Sequence, residues 1–336
     1  MITIARSSDT DREVLFGNAA DRAGIGNPAV VEKDFWVCFT LDYLFHKSLW
    51  PRSFSFKGGT SLSKAFHVIK RFSEDIDLIV DWRLLGYGIN EPWEKRSRTQ
   101  QDKFNRKAVA DASAFLTGVF APQMEKDMNS ILSRSVTVDM DPNDKEQCTV
   151  NFFYPHVFNT TYLRQEIRLE IGPLAEWVPS HPVSVRSIAS EQFPDAFRWA
   201  DTIVPTVDVE RTFWEKVAIL HKTAASSEKK GIPARYARHY YDLYQMSRSD
   251  VKEKAFGRKE LLERDIRFKL KFYYARNASY ETAQFGTIRL LPGVTAIKDL
   301  SGDYEHMKDM IYGEIPSFDE IIEAIARLEK EINELS

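Results

Sequence analysis

Apolar residues recur every three or four positions over residues 11–22 and 29–48, and this spacing predicts two helices. In the second, Phe35, Cys38, Leu41 and Leu44/Phe45 make one apolar stripe. The run SFSFK, 53–57, alternates and predicts a strand entering a Gly58-Gly59 turn. Helical spacing returns over 60–70, with Leu62, Ala65, Phe66 and Ile69 facing inward. DIDLIV, 75–80, alternates again: Ile76, Leu78 and Val80 face one way, Asp75, Asp77 and Ile79 the other. A polar loop rich in Gly and Trp is expected over 84–101 and a long helix over roughly 101–131. Strands are expected at 133–140, 147–154 and 165–171, the first two joined by the hairpin turn DPNDKE.

Beyond residue 172 the texture changes. GPLAEWVPSHPV is Pro-rich and reads as a connector. Helical patterns follow at 190–200, 206–225, 236–247, 258–276 and 317–335. The expected architecture is α+β, with a mixed sheet flanked by helices over 1–180 and a mostly helical domain over 181–336. The stripe Phe318, Ile321/Ile322, Ile325, Leu328, Ile332 and Leu335 is too short for a sustained heptad run, so core packing is expected there rather than a dimer coil.

Composition narrows the classes. A chain of 336 residues has room for two domains. Its 46 Lys+Arg against 49 Asp+Glu leave a net charge of -3, which excludes a globally basic nucleic-acid coat but not a local basic patch. Such patches occur at Lys95-Arg96-Ser97-Arg98, at Lys229-Lys230, at Arg235 and Arg238, and over Arg264 to Lys271. Aromatics interleave with the last in Phe268-Lys269-Leu270-Lys271-Phe272-Tyr273-Tyr274, a texture that suits RNA. Cys38 and Cys148 match no metal spacing and no disulfide scaffold, so a reducing cytoplasm is expected. No apolar run approaches a membrane span, and the start MITIARSSDTDREVLF lacks the apolar stretch of a secretory signal, so no membrane association is expected. The seven histidines form no HxxxH or HxH cluster, and GGTSLSK is not a P-loop because the closing Gly-Lys is missing.

The informative stretch runs from Lys57-Gly58-Gly59-Thr60-Ser61 to Arg71-Phe72-Ser73-Glu74-Asp75-Ile76-Asp77-Leu78. A Gly-Gly pair lets backbone N–H groups approach an anion with no Cβ in the way. Thr60 or Ser61 supplies a hydroxyl at the helix start. Asp75 and Asp77, two apart on one strand face, can converge on a magnesium ion that shares its coordination with substrate phosphates. Group transfer at phosphorus builds charge on the attacking, leaving and equatorial oxygens, and this combination answers it. In VERTFWEKVAILHK, Val209, Phe213, Val217 and Leu220 form a buried stripe, and Lys216 on its flank either snorkels to solvent or reaches into a cleft. Asp242, in Arg238-His239-Tyr240-Tyr241-Asp242-Leu243, reads by itself as a capping or salt-bridging residue.

Gly-Gly-Thr-Ser, one helix, then Asp-x-Asp resembles the signature of the DNA polymerase β-like nucleotidyltransferase superfamily. The fuller string is similar to the AbiEii/AbiGii-type toxin nucleotidyltransferases, the toxin half of a bacterial type IV toxin–antitoxin and phage-abortive infection system. The pieces that carry this likeness are Glu32-Lys33-Asp34-Phe35-Trp36, the two motifs above, Arg211-Thr212-Phe213-Trp214-Glu215-Lys216, Arg238 to Leu243, and a tail with Met310-Ile311-Tyr312-Gly313, Phe318, Glu329 and Ile332-Asn333. They span about residues 30–335. Thr60 departs from the superfamily pattern, which commonly has serine after the glycines.

The resemblance implies a nucleotidyltransferase core completed by the helical domain. It implies Mg²⁺ (or Mn²⁺) on Asp75 and Asp77, with Glu170 of EIRLEIG as a third carboxylate and Asp139 of SVTVDMD as the runner-up. Lys57, Gly58, Gly59, Thr60, Ser61, Lys64 and Arg71 would contact nucleotide phosphate, together with Lys216 and Arg238. Asp242 would be a base or would orient Lys216. A nucleoside triphosphate would give its monophosphate to an RNA or tRNA 3′ end, or to a protein side chain, and an antitoxin from a neighbouring gene would be the partner. Two other readings stand beside this one: a non-catalytic nucleotide-binding or interaction protein on a degenerate fold, which the intact Asp-x-Asp argues against, and a γ-phosphotransferase on the same fold.

Overall fold

In the computed structural model, the residues described are 1–160, 163–174, 179–274 and 279–335, without the side chains of 227–230. Parts of the expected connector (175–178), the last residues of the helix expected over 258–276, and the Lys229-Lys230 side chains therefore lie outside the described residues. The chain divides into two units, Met1–Ala65 with Ser73–Val207, and Phe66–Phe72 with Asp208–Ser336.

The first unit opens with α1 (Ile2–Ala5) and α2 (Asp9–Ala23), which Ser8 caps and Gly24 ends in the left-handed region. α3 (Pro28–His46) starts at an Asn27 cap with proline in its first turn. Sixteen of its 19 residues are buried, so it is a helix enclosed on every side and not the one-stripe helix expected. Its charged run Glu32, Lys33 and Asp34 is buried with the rest.

β1 (Phe54–Lys57) runs directly into α4 (Gly58–Lys64). The helix expected to reach residue 70 stops here. Residues 66–72 belong to the second unit, where Phe72 N–H donates to Met310 O and Tyr312 N–H to Lys70 O, both at 2.7 Å. β2 (Asp75–Val80) follows. The loop expected over 84–101 holds two 3₁₀ turns, and α5 (Arg98–Phe115) begins inside it because Ser97 and Gln100 form a capping box. A π turn at Leu116–Phe120 carries the helix into α6 (Ala121–Leu132). β3 (Thr137–Met140), β4 (Thr149–Phe153) and β5 (Ile167–Gly172) lie where the alternation predicts them.

β6 (Ser180–Arg186), α7 (Ile188–Gln192) and β7 (Asp201–Val207) differ from expectation. Residues 181–207, expected with the helical domain, complete the sheet of the first unit, and the units part at Val207/Asp208. Pro182 and Pro205, opposite each other in the β6/β7 ladder, disguise both strands. The edge position of β6 tolerates its proline. Pro194 stops the helix expected over 190–200 after one and a half turns.

Among the described residues, seven strands form one mixed sheet in the order β3-β4-β5-β2-β1-β7-β6. β2 is parallel to β5 and antiparallel to β1, and β1 is parallel to β7. Residues paired in register share a face. One face carries Phe54, Phe56, Ile76, Leu78, Val150, Phe152, Ile167 and Leu169, all buried. Trp36 of α3 packs toward it, 6.1 Å from the Phe152 ring. The opposite face carries Lys57, Asp75, Asp77, Asn151, Arg168 and Glu170.

The second unit is helical: α8 (Val209–Lys230), α9 (Ala237–Ser247), α10 (Val251–Phe256), α11 (Glu260–Phe272), α12 (Val294–Met307) and α13 (Phe318–Asn333). Phe213, Trp214, Val217 and Leu220 of α8 are fully buried. α13 is held by a Ser317/Glu320 capping box and buries Phe318, Ile321, Ile325, Leu328 and Ile332, so the C-terminal stripe packs into the unit's own core. α10 and α12 were not expected. α10 is a polar six-residue turn, and the Ala296, Leu300, Tyr304, Met307 stripe of α12 is diluted by Ser301-Gly302-Asp303. Among the described residues, no helix is long and apolar enough to cross a membrane.

Candidate functional site

The site of the first unit is built on β1, α4 and β2. The chain turns from Lys57 through Gly58, whose φ of +79° is costly for any residue with a Cβ. Lys57 and Asp77 are register partners, so the turn and the second aspartate lie side by side. A Cβ placed on Gly58 would meet Asp77 Oδ2 at 1.9 Å. Gly58 is therefore required twice, for its backbone angle and for the space that the carboxylate fills.

Both hydroxyls of the turn face inward. Thr60 Oγ1 donates to the carbonyl of Asp75, and Ser61 Oγ donates to the carbonyl of Gly58 at 2.8 Å. Both residues are fully buried. Thr60 thus joins α4 to the first aspartate of β2. Lys64 pairs with Asp34 Oδ1 of α3 at 2.7 Å, so its ammonium is committed to a buried ion pair rather than set out for phosphate.

On the polar face two rows cross the sheet. One is Asp139, Asn151, Arg168, Asp75, and the other is Thr149, Glu170, Asp77, Lys57. Glu170 is therefore the direct neighbour of Asp77. Asp139 lies three strands from Asp75, ~14 Å at about 4.8 Å per strand. Burial, then the charges of Glu170 and Glu74, push the Asp75 carboxyl above its ordinary value against the pull of Arg168 and Lys33. Arg168 spans the group. Its Nε lies 3.5 Å from Asp75 Oδ1, its Nη2 lies 3.2 Å from Glu170 Oε1, and its Nη1 donates to Asp141.

Among the described residues, no three His, Cys, Asp or Glu side chains converge as a ready-made metal cage. The donors still fit magnesium. They are hard carboxylate oxygens on one face, with Glu170 partly exposed beside them, and a guanidinium already acts as cation between Asp75 and Glu170. Magnesium commonly takes one or two carboxylates and completes its shell with water and substrate phosphate.

Behind this face, α3 fixes the strand. Lys33 Nζ donates to Glu74 Oε2 at 2.6 Å and to the carbonyl of Arg164 at 2.7 Å. Glu32 accepts the N–H groups of Val157 and Phe158, and Asp34 accepts the N–H of Ile188 as well as Lys64. The Glu32-Lys33-Asp34 run is thus a set of buried clamps, and Lys33 holds the residue just before Asp75. Sequence reasoning missed Glu74, Asn151, Asp141 and Arg168 as members of the site. For Arg168 the signal was present, since it lies two residues before Glu170 on the same strand face.

The second unit brings Arg71, Lys216, His239 and Asp242 together. Arg71 forks onto Asp242 with Nε to Oδ1 at 2.7 Å and Nη2 to Oδ2 at 2.9 Å. Lys216 Nζ donates to Asp242 Oδ2 at 2.7 Å and lies 3.1 Å from His239 Nδ1. Burial alone would raise the Asp242 carboxyl, but Arg71 and Lys216 hold it well below the usual carboxylate range. Burial, helped by Arg71, draws the Lys216 ammonium below the ordinary lysine value despite Asp242. Burial, then the charges of Lys216 and Arg238, keeps His239 neutral at physiological pH. Beside this cluster a cavity of about 90 Å³ is lined by Arg71, Arg235, Arg238, Asp303, His306 and Met310. Asp303 is occupied by the N–H groups of Arg235 and Ala237 at the start of α9, so the cationic side chains set the cavity's character.

Two cations of the basic patches have partners within the fold. Arg96 lies over the Phe104 ring at 4.1 Å and donates to the Glu91 carbonyl. Phe268 and Phe272 are buried, and Lys269 binds both oxygens of Asp265 at 2.8 Å.

The family model for the nucleotidyl transferase AbiEii toxin of type IV toxin–antitoxin systems matches residues 42–324. Among solved structures the chain is similar to MenT4, a nucleotidyltransferase toxin from Mycobacterium tuberculosis H37Rv, at 14% identity over 95% of this chain and 97% of that one, with a TM-score of 0.40. No curated protein sequence matches it.

Proposed function

The chain belongs to the AbiEii family of nucleotidyl transferase toxins of type IV toxin–antitoxin systems, and from that premise we propose that it is a magnesium-dependent enzyme moving a nucleoside monophosphate from a nucleoside triphosphate to the 3′ end of an RNA. The observation that carries this reading is the packing of Gly58 against Asp77, with Asp75 on the same strand face. A Gly-Gly turn with no Cβ beside a pair of carboxylates suits a triphosphate and its divalent ion together.

Asp75 and Asp77 would hold Mg²⁺ or Mn²⁺, with Glu170 at the rim. When bound, the metal supplies charge neutralisation at the reacting phosphate and at the leaving oxygen. The residues of the chain do the rest. The missing Cβ of Gly58 leaves room for the Asp77 carboxylate, and Thr60 fixes the strand position of Asp75 through its carbonyl. The RNA hydroxyl gives up its proton to solvent, its oxygen bonds to the α-phosphorus, the bond to the bridging oxygen breaks, and pyrophosphate leaves. In the second unit, the cavity under Arg71, Arg235 and Arg238 is a phosphate site by charge and size. Both oxygens of Asp242 are engaged by Arg71 and Lys216, so Asp242 orients those cations and is not the base.

Blocking tRNA ends would arrest translation in the cytoplasm, as suits the toxin of an abortive-infection system, and an antitoxin from a neighbouring gene would be the partner. The test incubates the protein and Mg²⁺ with each α-labelled nucleoside triphosphate and total RNA. Labelled RNA is expected, and Asp75→Ala/Asp77→Ala is expected to abolish both labelling and growth arrest. A double variant with full transfer and full toxicity would sink the proposal. Label arriving only from the γ-position would replace it with phosphoryl transfer, and label on protein would move the acceptor.

A further inference from the structure

Arg168 occupies an unusual place for a site that needs a divalent cation. It stands on β5 as the register partner of Asp75, beside the row that holds Asp77 and Glu170, and its guanidinium touches Asp75 on one side and Glu170 on another. These are the same carboxylates that the metal would take. Its third contact, Asp141, lies away from them and is buried. Next to Arg168 in register, on β4, is Asn151, 5% exposed, whose Oδ1 is buried without a hydrogen-bond partner among the described residues. A buried acceptor left unpaired is costly, and here it stands beside a side chain with five N–H donors.

We propose that Arg168 is the resident counter-ion of the Asp75–Glu170 pair, that a divalent metal displaces it, and that Asp141 and Asn151 receive the guanidinium when it leaves. The inference rests on the reading of Asp75 and Asp77 as metal-holding carboxylates. Without metal, two carboxylates on neighbouring strands repel, and Arg168 offsets that repulsion. With metal, a guanidinium within contact distance of the same oxygens opposes a second cation, and retreat toward Asp141 removes the conflict. The retreat breaks two contacts to Asp75 and Glu170. It keeps one to Asp141 and gains one to the orphaned Asn151 oxygen. Arg168 is thus a positioning residue that sets metal affinity and keeps the acidic face folded when the metal is absent.

The experiment is a Mn²⁺ titration followed by electron paramagnetic resonance, which reads binding and not turnover. Wild type, Arg168→Gln, Arg168→Lys, Asn151→Leu and Asp75→Asn/Asp77→Asn are compared, with thermal melts on the same samples to show that each is folded. Arg168→Gln is expected to bind Mn²⁺ about tenfold tighter, because its competitor is gone. Arg168→Lys is expected to fall between, and Asn151→Leu to bind severalfold more weakly because the receiving acceptor is lost. Arg168→Gln binding equally or more weakly would overturn the inference while leaving Asp75 and Asp77 as ligands. A wild-type protein that binds no Mn²⁺, or a double aspartate variant that binds it unchanged, would overturn the underlying reading and this inference with it. If Arg168→Gln does not fold, Arg168→Lys carries the comparison alone, and no gain in affinity there is the overturning result.

Discussion

Gly58 and Asp77 touch so closely that a methyl group on the glycine would lie 1.9 Å from Oδ2 of the aspartate and 2.6 Å from its Cγ. Gly58→Ala therefore has two effects that can be separated. A positive φ costs an alanine about 1–2 kcal/mol, and the new Cβ also drives the Asp77 carboxylate from its place. Gly86→Ala is the control, since Gly86 also has a positive φ, +88°, but open space where its Cβ would go. Gly86→Ala is expected to lose only that strain energy in thermal melts, and Gly58→Ala more, because its Cβ must also displace Asp77. Transfer activity is expected to fall on the order of 100-fold or more in Gly58→Ala, because a misplaced catalytic group of this kind costs that much, and to stay near wild type in Gly86→Ala. Equal activity in the two variants would show that Asp77 does not depend on the missing side chain.

How much of this was legible in the residues varies with the kind of signal. DIDLIV put Asp75 and Asp77 on one face because a two-residue alternation with a buried half is hard to mistake, and the register bears that placement out. α4 was expected to run to residue 70 because helical spacing continues through Phe66 and Ile69, but those residues belong to the other unit. The spacing reports burial, and burial there comes from a different core. β6 and β7 were invisible behind Pro182 and Pro205, since proline reads as a breaker unless edge position and a facing proline are known. The buried partners of Lys64 and Arg71 were not legible, because sequence carries no partner information. The structure gives each a buried carboxylate, Asp34 for one and Asp242 for the other. Asn151 joins the polar face through strand register and Asp141 through its bond from Arg168, and no single strand reveals either.

Lys33 and Glu74 form a buried pair, 1% and 8% exposed, directly behind the start of β2. Lys33→Met leaves the Glu74 carboxylate buried without its ammonium, and removing one partner of a buried pair costs about 3–5 kcal/mol. Replacing both partners with apolar groups of similar size is often neutral, so Lys33→Met/Glu74→Leu is expected to recover most of the loss. Denaturant unfolding of the two single variants and the double one measures this directly. A double variant as unstable as Lys33→Met would mean that the bond from Lys33 to the Arg164 carbonyl, and not the ion pair, holds this corner.

Asp242 is the centre of the second cluster, fully buried between Arg71 and Lys216. Its carboxyl is depressed below the ordinary 3.8, so the direction of its pH dependence is fixed. The ionised form contributes stability that is complete above the unfolded value near 3.8 and is lost as the pH falls through the lower folded value. Asp242→Asn removes that contribution and takes from two buried cations the carboxylate they share, an expected cost of about 3–5 kcal/mol at neutral pH. Burial and Arg71 already pull the Lys216 ammonium down, so without Asp242 it is expected to lose its proton more readily, which limits the cost at high pH. Urea unfolding of both proteins at pH 7 and at pH 3 tests the argument. The stability gap is expected to be largest at pH 7 and to narrow below about pH 4, as protons that the wild type resists begin to bind. A gap of equal size at both values would show that the loss comes from packing at Asp242 and not from its charge.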